Sequence, residues 1–385
     1  MKKIILSLVV TLFLGVCFGQ VTKEVNTSIK ETAKGIKISQ QFNSFELETV
    51  YENGETFYKI NMGEELLGAH KVGQADLPTY NCLIEIPYCS DIVIDQQILS
   101  KETINLKNKY KIYPTQPSQS KQNEEIPFEI NDEYYSRNSF GKTDVADIEV
   151  LGVMNGVRLA RLSVCPIRYN PRTAQIELIN NLDLEISFIN PDYEKTQQAN
   201  NKLSNSFKQF LGKKVINLNK STGATSFNSP MNRPFKMIIL SSPIFRDELQ
   251  TFIRWKKEQG FEIIELYTDE TGTTETSIKA YLQNLWNNSD GVLADYLLIC
   301  GDTGQVPACE GVHMYYSNDS QPTDLYYAEF TGDILPDLFY GRMSATNASQ
   351  LAAIIEKTIK YEQYQFADDS YLNRVLLVGG KETSG

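Results

Sequence analysis

The sequence predicts a multidomain protein in which an antiparallel β-sandwich or barrel precedes a partial α/β domain with a parallel sheet and flanking helices. Three observations carry that expectation. From about Val21 to Asn190, apolar and polar residues alternate with period two, and no helical periodicity interrupts them. From Lys236 onward, short and almost continuously apolar runs alternate with amphipathic stretches of helical spacing. The 192–232 segment between them is rich in Asn, Ser, Gln, Lys and Thr, the composition of a linker or processing region.

Taken in order, the elements begin with a leader. Met1-Lys2-Lys3 is a basic start, and Ile4 to Val16 is an apolar run too short to span a bilayer. Cys17-Phe18-Gly19 then sets small residues at the two positions a signal peptidase reads. Residues 1–19 therefore read as a cleaved signal peptide, and the mature protein is expected to be secreted or held at the cell surface. Leu14-Gly15-Val16-Cys17 also approaches a lipoprotein signal, but Val16 is bulkier than that processing accepts.

Residues 20–191 form the β-rich domain, with strands expected at 45–50, 56–60, 83–86 and 92–94 and a turn at Asn53-Gly54. The 157–164 run is expected to form a hairpin with 175–179 across a wide turn at 169–173, and 182–188 adds another strand. Within 192–232, residues 207–211 suit a short docked helix. Residues 233–372 should fold as the first α/β subdomain. Its strands are expected at 236–240, 261–267, 296–300 and 337–340, and its helices at 243–259, 276–288 and 348–364. Val375-Leu376-Leu377-Val378 opens a further strand, at the start of a second subdomain in 373–385.

Composition narrows the function. With 385 residues and 41% hydrophobic content, two or three cores can be buried. The net charge of −11, which becomes more negative when Lys2 and Lys3 leave with the leader, argues against a nucleic-acid partner. No second apolar run of spanning length follows the leader, so no membrane span is expected. The remaining cysteines, Cys82, Cys89, Cys165, Cys300 and Cys309, are an odd and sparse set. Cys82 and Cys89 are close enough in sequence for a local bridge, whereas Cys165 and Cys300 lie in apolar runs and read as buried thiols.

Several stretches then carry a family resemblance. In the β-rich part they are Gly73-Gln74-Ala75-Asp76-Leu77-Pro78, with Ala75 where proline is usual, Tyr113-Pro114-Thr115-Gln116-Pro117, and Arg161 to Pro166 continuing to Tyr169-Asn170-Pro171. In the α/β part they are Trp255-Lys256 with Gly260, Gly301-Asp302, Asp324 to Tyr327, and Asp337 to Arg342. In this order the chain resembles the gingipain-type cysteine peptidases of the clostripain/caspase-like class. The resemblance implies a propeptide that docks on its own caspase-like peptidase domain as folding aid and latency device. It implies a secreted cysteine endopeptidase precursor acting on protein and peptide substrates through a thiolate and an acyl-enzyme. In that family the catalytic His and Cys lie in a second subdomain, which here would start at Asn373. No residue of this chain matches either position, so no catalytic residue is assigned and the chain as given is expected to be inactive.

The two histidines, His70 and His313, do not alter that expectation. His313 follows Cys309 by four residues, but a polar loop residue beside an incidental thiol is the simpler account. One site chemistry remains. Asp302 follows the third strand of the α/β part, at the edge where parallel sheets hold ligands. Asp333 and Asp337, with the carbonyls of Phe330 and Leu335, mix carboxylate and main-chain oxygens in one short loop, as Ca2+ requires. These positions also resemble calcium-site positions of gingipain-like peptidases. As turn and strand-cap residues, the aspartates would need no metal. A rival from another class is a non-catalytic secreted scaffold that binds carbohydrate or protein through exposed aromatics such as Tyr134 and Tyr135.

Overall fold

The computed structural model describes residues 25–63, 66–68, 71–89, 91–117, 126–141, 143–218, 234–289, 291–312 and 320–377. His70 and His313 lie outside them, as do the leader and residues 219–233.

The N-terminal part is a sandwich of antiparallel sheets. One sheet runs in the order Asn26–Glu31, Gly35–Gln41, Gln175–Ile189, Ile167–Asn170, with Asp91–Asn105 also laddered along Gln175–Ile189. The facing sheet runs Leu66–Gly68, Pro78–Glu85, Val157–Val164, Ala146–Met154. Ile38, Leu184 and Ile186 from the first sheet and Ile84, Leu162 and Val164 from the second share one core. The alternation of each strand puts these residues on the inner face. A third sheet holds the Glu46–Glu52/Glu55–Asn61 hairpin, whose Asn53-Gly54 turn has the positive φ values of 48° and 80° that this dipeptide tolerates.

Four expectations are corrected here. The 157–164 strand is not the hairpin partner of 175–179. Instead Ile167–Asn170 is that partner, because Pro166, which has no N–H to continue the ladder, lies where the chain crosses between sheets. The runs at 175–179 and 182–188 are one strand, Gln175–Ile189, with a register shift at Asn181 absorbing the break in alternation. Nor do Tyr134 and Tyr135 form an exposed platform. Tyr135 is buried, donates its hydroxyl to the Ile112 carbonyl at 2.6 Å, and meets Tyr134 edge-on. All five described cysteines are free, so Cys82 and Cys89 make no bridge.

The C-terminal part is a parallel sheet in the order Glu262–Tyr267, Lys236–Ser241, Tyr296–Cys300, Phe339–Met343. Arg246–Glu258 and Ala348–Glu362 cover one face over Met237 and Ile239, and Glu275–Asn288 covers the other over Ile238 and Leu240. Pro243 sits in a 3-10 turn, Pro243–Phe245, that leads into the first helix. The last strand begins at Phe339 rather than at Asp337, whose carboxylate is committed to a turn. Val375, Leu376 and Leu377 join no ladder among the described residues and are exposed. No helix among the described residues is long and apolar enough to cross a membrane.

The polar segment is only partly linker-like. Its first half folds into Tyr193–Asn200 and Asn205–Leu211, each capped by a side chain, Asp192 and Ser204 respectively. Leu203, Phe207, Leu211, Val215 and Leu218 are spaced to bury one stripe, and they pack with Val157 and Leu159 of the sandwich. Phe207 is fully buried and stacks on Phe339 of the parallel sheet at 4.1 Å. Val215 bridges Leu83, and Asn217 exchanges hydrogen bonds with the Glu85 main chain. Phe207→Ala should therefore lower the stability of the whole chain by about 3–5 kcal/mol, the range for emptying a buried aromatic site. Urea unfolding checks this, and a change under about 1 kcal/mol would mean the segment does not bind the two halves together.

Candidate docking site between the two halves

The site grows from a tight turn. Asn155 and Gly156 join Ala146–Met154 to Val157–Val164, with φ of 48° and 89°. Such a two-residue turn matches strand twist, and Asn-Gly is its preferred sequence. The turn leaves the amides at the hairpin tip pointing outward, and buried amides need acceptors. The 329–337 loop of the α/β part supplies them.

Asp337, fully buried, accepts from the Asn155 amide at 2.8 Å and from the Phe330 amide at 2.7 Å. The Asn155 side chain donates back to the Asp337 carbonyl at 2.7 Å and accepts from the Ser204 amide at 2.6 Å. One buried asparagine thus ties the sandwich, the polar segment and the parallel sheet together. Asp333 accepts from the Val153 amide at 2.7 Å through Oδ2 and from the Leu335 amide at 2.7 Å through Oδ1. Glu329 accepts from the Gly332 and Asp333 amides and so closes the loop. Two glycines make the approach this close. A β-carbon on Gly152 would lie 2.5 Å from Asp333 Oδ2, and one on Gly156 would lie 2.2 Å from the Ala199 carbonyl.

The electrostatics are unusual for a contact surface. The Asp337 carboxyl is pushed up to about 7, chiefly by burial, with the Phe330 and Asn155 amides working against the rise and the Asp333 and Glu329 charges adding to it. Lys279 is the nearby counter-charge: it donates to the Glu329 carbonyl and lies 4.7 Å from the centre of the Phe330 ring. At the other end of the contact, Lys202 donates to the carbonyls of Trp286 and Ser289 at a helix C-terminus and lies over the Trp286 ring.

The sequence-predicted residues are thus only partly brought together. Phe330, Asp333, Leu335 and Asp337 share one loop at the N-terminal edge of the parallel sheet. Asp302 sits at the opposite, C-terminal edge beyond Cys300. There the Thr303 amide and then Ser344 hold its carboxylate below its ordinary range. Among the described residues no three His, Cys, Asp or Glu side chains gather at metal-ligand spacing. None of four buried or half-buried thiols is activated. Burial pushes Cys82 and Cys300 up to about 12 and Cys165 to about 11, and it also raises Cys309. Asn155, Gly152, Ser204 and Lys202 were not among the residues singled out from sequence. For Asn155 a signal existed, since Asn155-Gly156 between Met154 and Val157 is a hairpin turn.

Comparison with known proteins gives this contact its context. A propeptide model, Propeptide_C25, matches residues 25–217, and a model of peptidase family C25 matches residues 231–385. The chain belongs to peptidase family C25. Within it, Lys-gingipain W83 of Porphyromonas gingivalis is 31% identical over 369 residues, which is 93% of this chain and 21% of that protein. Gingipain R1 of the same organism is 23% identical over 267 residues, 67% of this chain and 25% of that protein. This C25 chain therefore spans about a fifth of the length of the Lys-gingipain relatives it matches. Solved structures also align. One, on the zymogenic latency of gingipain K, is 28% identical and covers 45% of this chain and 96% of its own, with a TM-score of 0.39. Another, the complex of RgpB pro- and mature domains, is 16% identical and covers 50% and 95%, with a TM-score of 0.40. The Asn155–Asp337 contact thus joins the C25 propeptide to the C25 peptidase region.

Two outcomes follow for this contact. Gly152→Ala drives a β-carbon into Asp333, and Asn155→Ala strips a buried carbonyl and a buried amide of their partner. Each should cost about 1–3 kcal/mol, while a surface change such as Glu133→Ala should cost under about 0.5 kcal/mol. Equal melting of all three proteins would refute the contact.

The pH dependence has a definite sign. Folding raises the Asp337 pKa above its ordinary 3.8, so the folded chain holds a proton that the unfolded chain has lost. Its contribution to stability therefore falls as pH rises from about 4 to about 7 and is level above that. Asp337→Asn should remove this fall, as unfolding curves across the range would show; an unaltered pH profile contradicts it.

Proposed function

We propose that the chain is the propeptide and the first part of the catalytic region of a secreted cysteine endopeptidase precursor, with the hairpin contact holding the propeptide in place. The observation that carries this is the tandem order of propeptide and peptidase regions, joined by a buried contact that neither could satisfy alone. In the active enzyme a thiolate would attack the peptide carbonyl, a histidine would carry the proton to the leaving amine, and water would release the acyl-enzyme. None of the four thiols raised by burial supplies that nucleophile, and the two histidines lie outside the described residues. The basic start and apolar run of residues 1–19 support export.

The test uses the gene expressed at full length. Thiol-dependent cleavage of a peptide library should appear after propeptide release, and sooner in Asn155→Ala than in the unaltered precursor. The 385-residue chain alone should cleave nothing. Cleavage by that chain, lost in Cys309→Ala, would overturn the assignment, and a full-length product without thiol-dependent cleavage would favour the scaffold reading.

The reading includes Ca2+ at the 330–337 loop. Asp333 and Asp337 with the Phe330 and Leu335 carbonyls would hold it, and Asp302 would serve a separate ion. The donor chemistry fits, because both Asp337 oxygens and Asp333 Oδ1 each accept one amide in the contacts above and an oxygen has two lone pairs. A bound cation would relieve the repulsion among Asp333, Asp337 and Glu329. Calcium should raise the melting temperature of the chain over EDTA, magnesium should do so poorly, and Asp333→Asn should blunt the rise. Identical melting in calcium and EDTA would leave these residues as turn-formers.

A further inference from the structure

Asn-Gly occurs twice in this chain, at Asn53-Gly54 and Asn155-Gly156, and both copies form the same kind of hairpin turn. Asn53 and Gly54 have φ of 48° and 80°, and Asn155 and Gly156 have 48° and 89°. The backbones match, so the surroundings are what separate the two. Asn53 is exposed, and a β-carbon on Gly54 would meet no atom within 4 Å. Asn155 is fully buried, its side-chain nitrogen donating to the Asp337 carbonyl and its side-chain oxygen accepting from the Ser204 amide. The Ala199 carbonyl, 2.2 Å from where a Gly156 β-carbon would lie, closes over the next residue.

Asparagine before glycine readily loses its side-chain amide, because glycine has no β-carbon to shield its own nitrogen or restrict the peptide. At this turn the Gly156 nitrogen would attack Asn155 Cγ, its proton passing through water to Nδ2. The new N–C bond closes a cyclic imide, the Cγ–Nδ2 bond breaks, and ammonia leaves. Water then opens the imide to aspartate or isoaspartate, with no oxidant or cofactor required. In the docked chain the side chain would have to leave both hydrogen bonds, and the peptide would have to move out from beneath Ala199. Separation of the hairpin from the 329–337 loop removes those restraints. The product carboxylate has no proton to donate to the Asp337 carbonyl, and it sets a charge beside a buried carboxyl. We infer that Asn155-Gly156 is a deamidation site that docking shields and separation exposes, and that the deamidated hairpin does not dock again. Release of the propeptide would then be one-way. This rests on the docked-propeptide reading above, but peptidase activity plays no part in it, so either can fail without the other.

Peptide mapping by mass spectrometry tests it on the 385-residue chain held at mildly alkaline pH, with the urea-unfolded chain as the unrestrained reference. Relative to that reference, Asn155 should be slowed at least about tenfold more than Asn53. In Gly152→Ala, whose β-carbon forces Asp333 off the hairpin, Asn155 should react faster than in the unaltered chain while Asn53 keeps its rate. Asn155→Asp carries the product directly. Its Val153 amide, which donates to Asp333, should exchange hydrogen at least about tenfold faster than in the unaltered chain, while Leu184 in the sandwich core keeps its protection. Equal slowing of Asn53 and Asn155 would overturn the inference, as would a Gly152→Ala chain in which Asn155 reacts no faster. So would an Asn155→Asp chain with Val153 fully protected, or one that loses Leu184 protection to the same degree. Equal acceleration of both asparagines in Gly152→Ala would mean global unfolding, and the unaltered and Asn155→Asp chains then decide.

Discussion

The arrangement of this chain depends on one buried carboxylate. Asp337 is removed from water at the place where the parallel sheet, its preceding loop and the propeptide hairpin meet. Burying a carboxyl is unfavourable unless donors meet it, and here two amides do, from Phe330 within the loop and from Asn155 across the contact. The converse holds for the hairpin. Its tip amides at Val153 and Asn155 have outward-facing N–H groups that no ladder uses, and they find acceptors in Asp333 and Asp337. Each side is polar where the other side needs it, which fixes the register of one half on the other more sharply than apolar contact alone.

Around that polar centre the apolar contact is small and shared. Phe207 stacks between the halves, with Leu335 and Phe339 from the α/β part and Val157 and Leu159 from the sandwich around it. Each half keeps a separate core, one centred on Ile84, Leu162 and Ile186 and the other split across the two faces of the parallel sheet. The bridging helices are thus the piece whose burial depends on both halves being present. Their capping residues show how a polar segment can still be ordered. Asp192 and Ser204 spend their side chains on helix N-termini, and the few apolar residues fall on one stripe.

Much of this was legible in the sequence, and the limits have physical causes. The alternation of 21–190 and the apolar runs from Lys236 declared the two sheet types, because side-chain period follows directly from backbone geometry. Residues 207–211 announced a docked helix, and the structure has Asn205–Leu211. Strand partners were harder, since 157–164 and 175–179 look like hairpin neighbours until Pro166 is seen to pass the chain between sheets. Asp333 and Asp337 stood out as an acidic pair in a turn, but their partner lies 182 residues from Asp337, a pairing that no local pattern encodes. Asn155-Gly156 was readable as a turn, whereas its use as a clamp required the loop opposite it.

The division of labour between polar and apolar groups bears on how such a contact can be undone. Hydrogen bonds to Asp333 and Asp337 are exchanged for bonds to water on separation, so their net contribution is modest and their main effect is on register. The apolar part is confined to a handful of side chains around Phe207, well short of a domain core. Neither half loses its own core when the contact opens. An interface of this composition is specific and separable, whereas an apolar interface of the same register would be hard to open. That combination is what a propeptide requires if it must hold its peptidase region in place during folding and leave it intact afterwards.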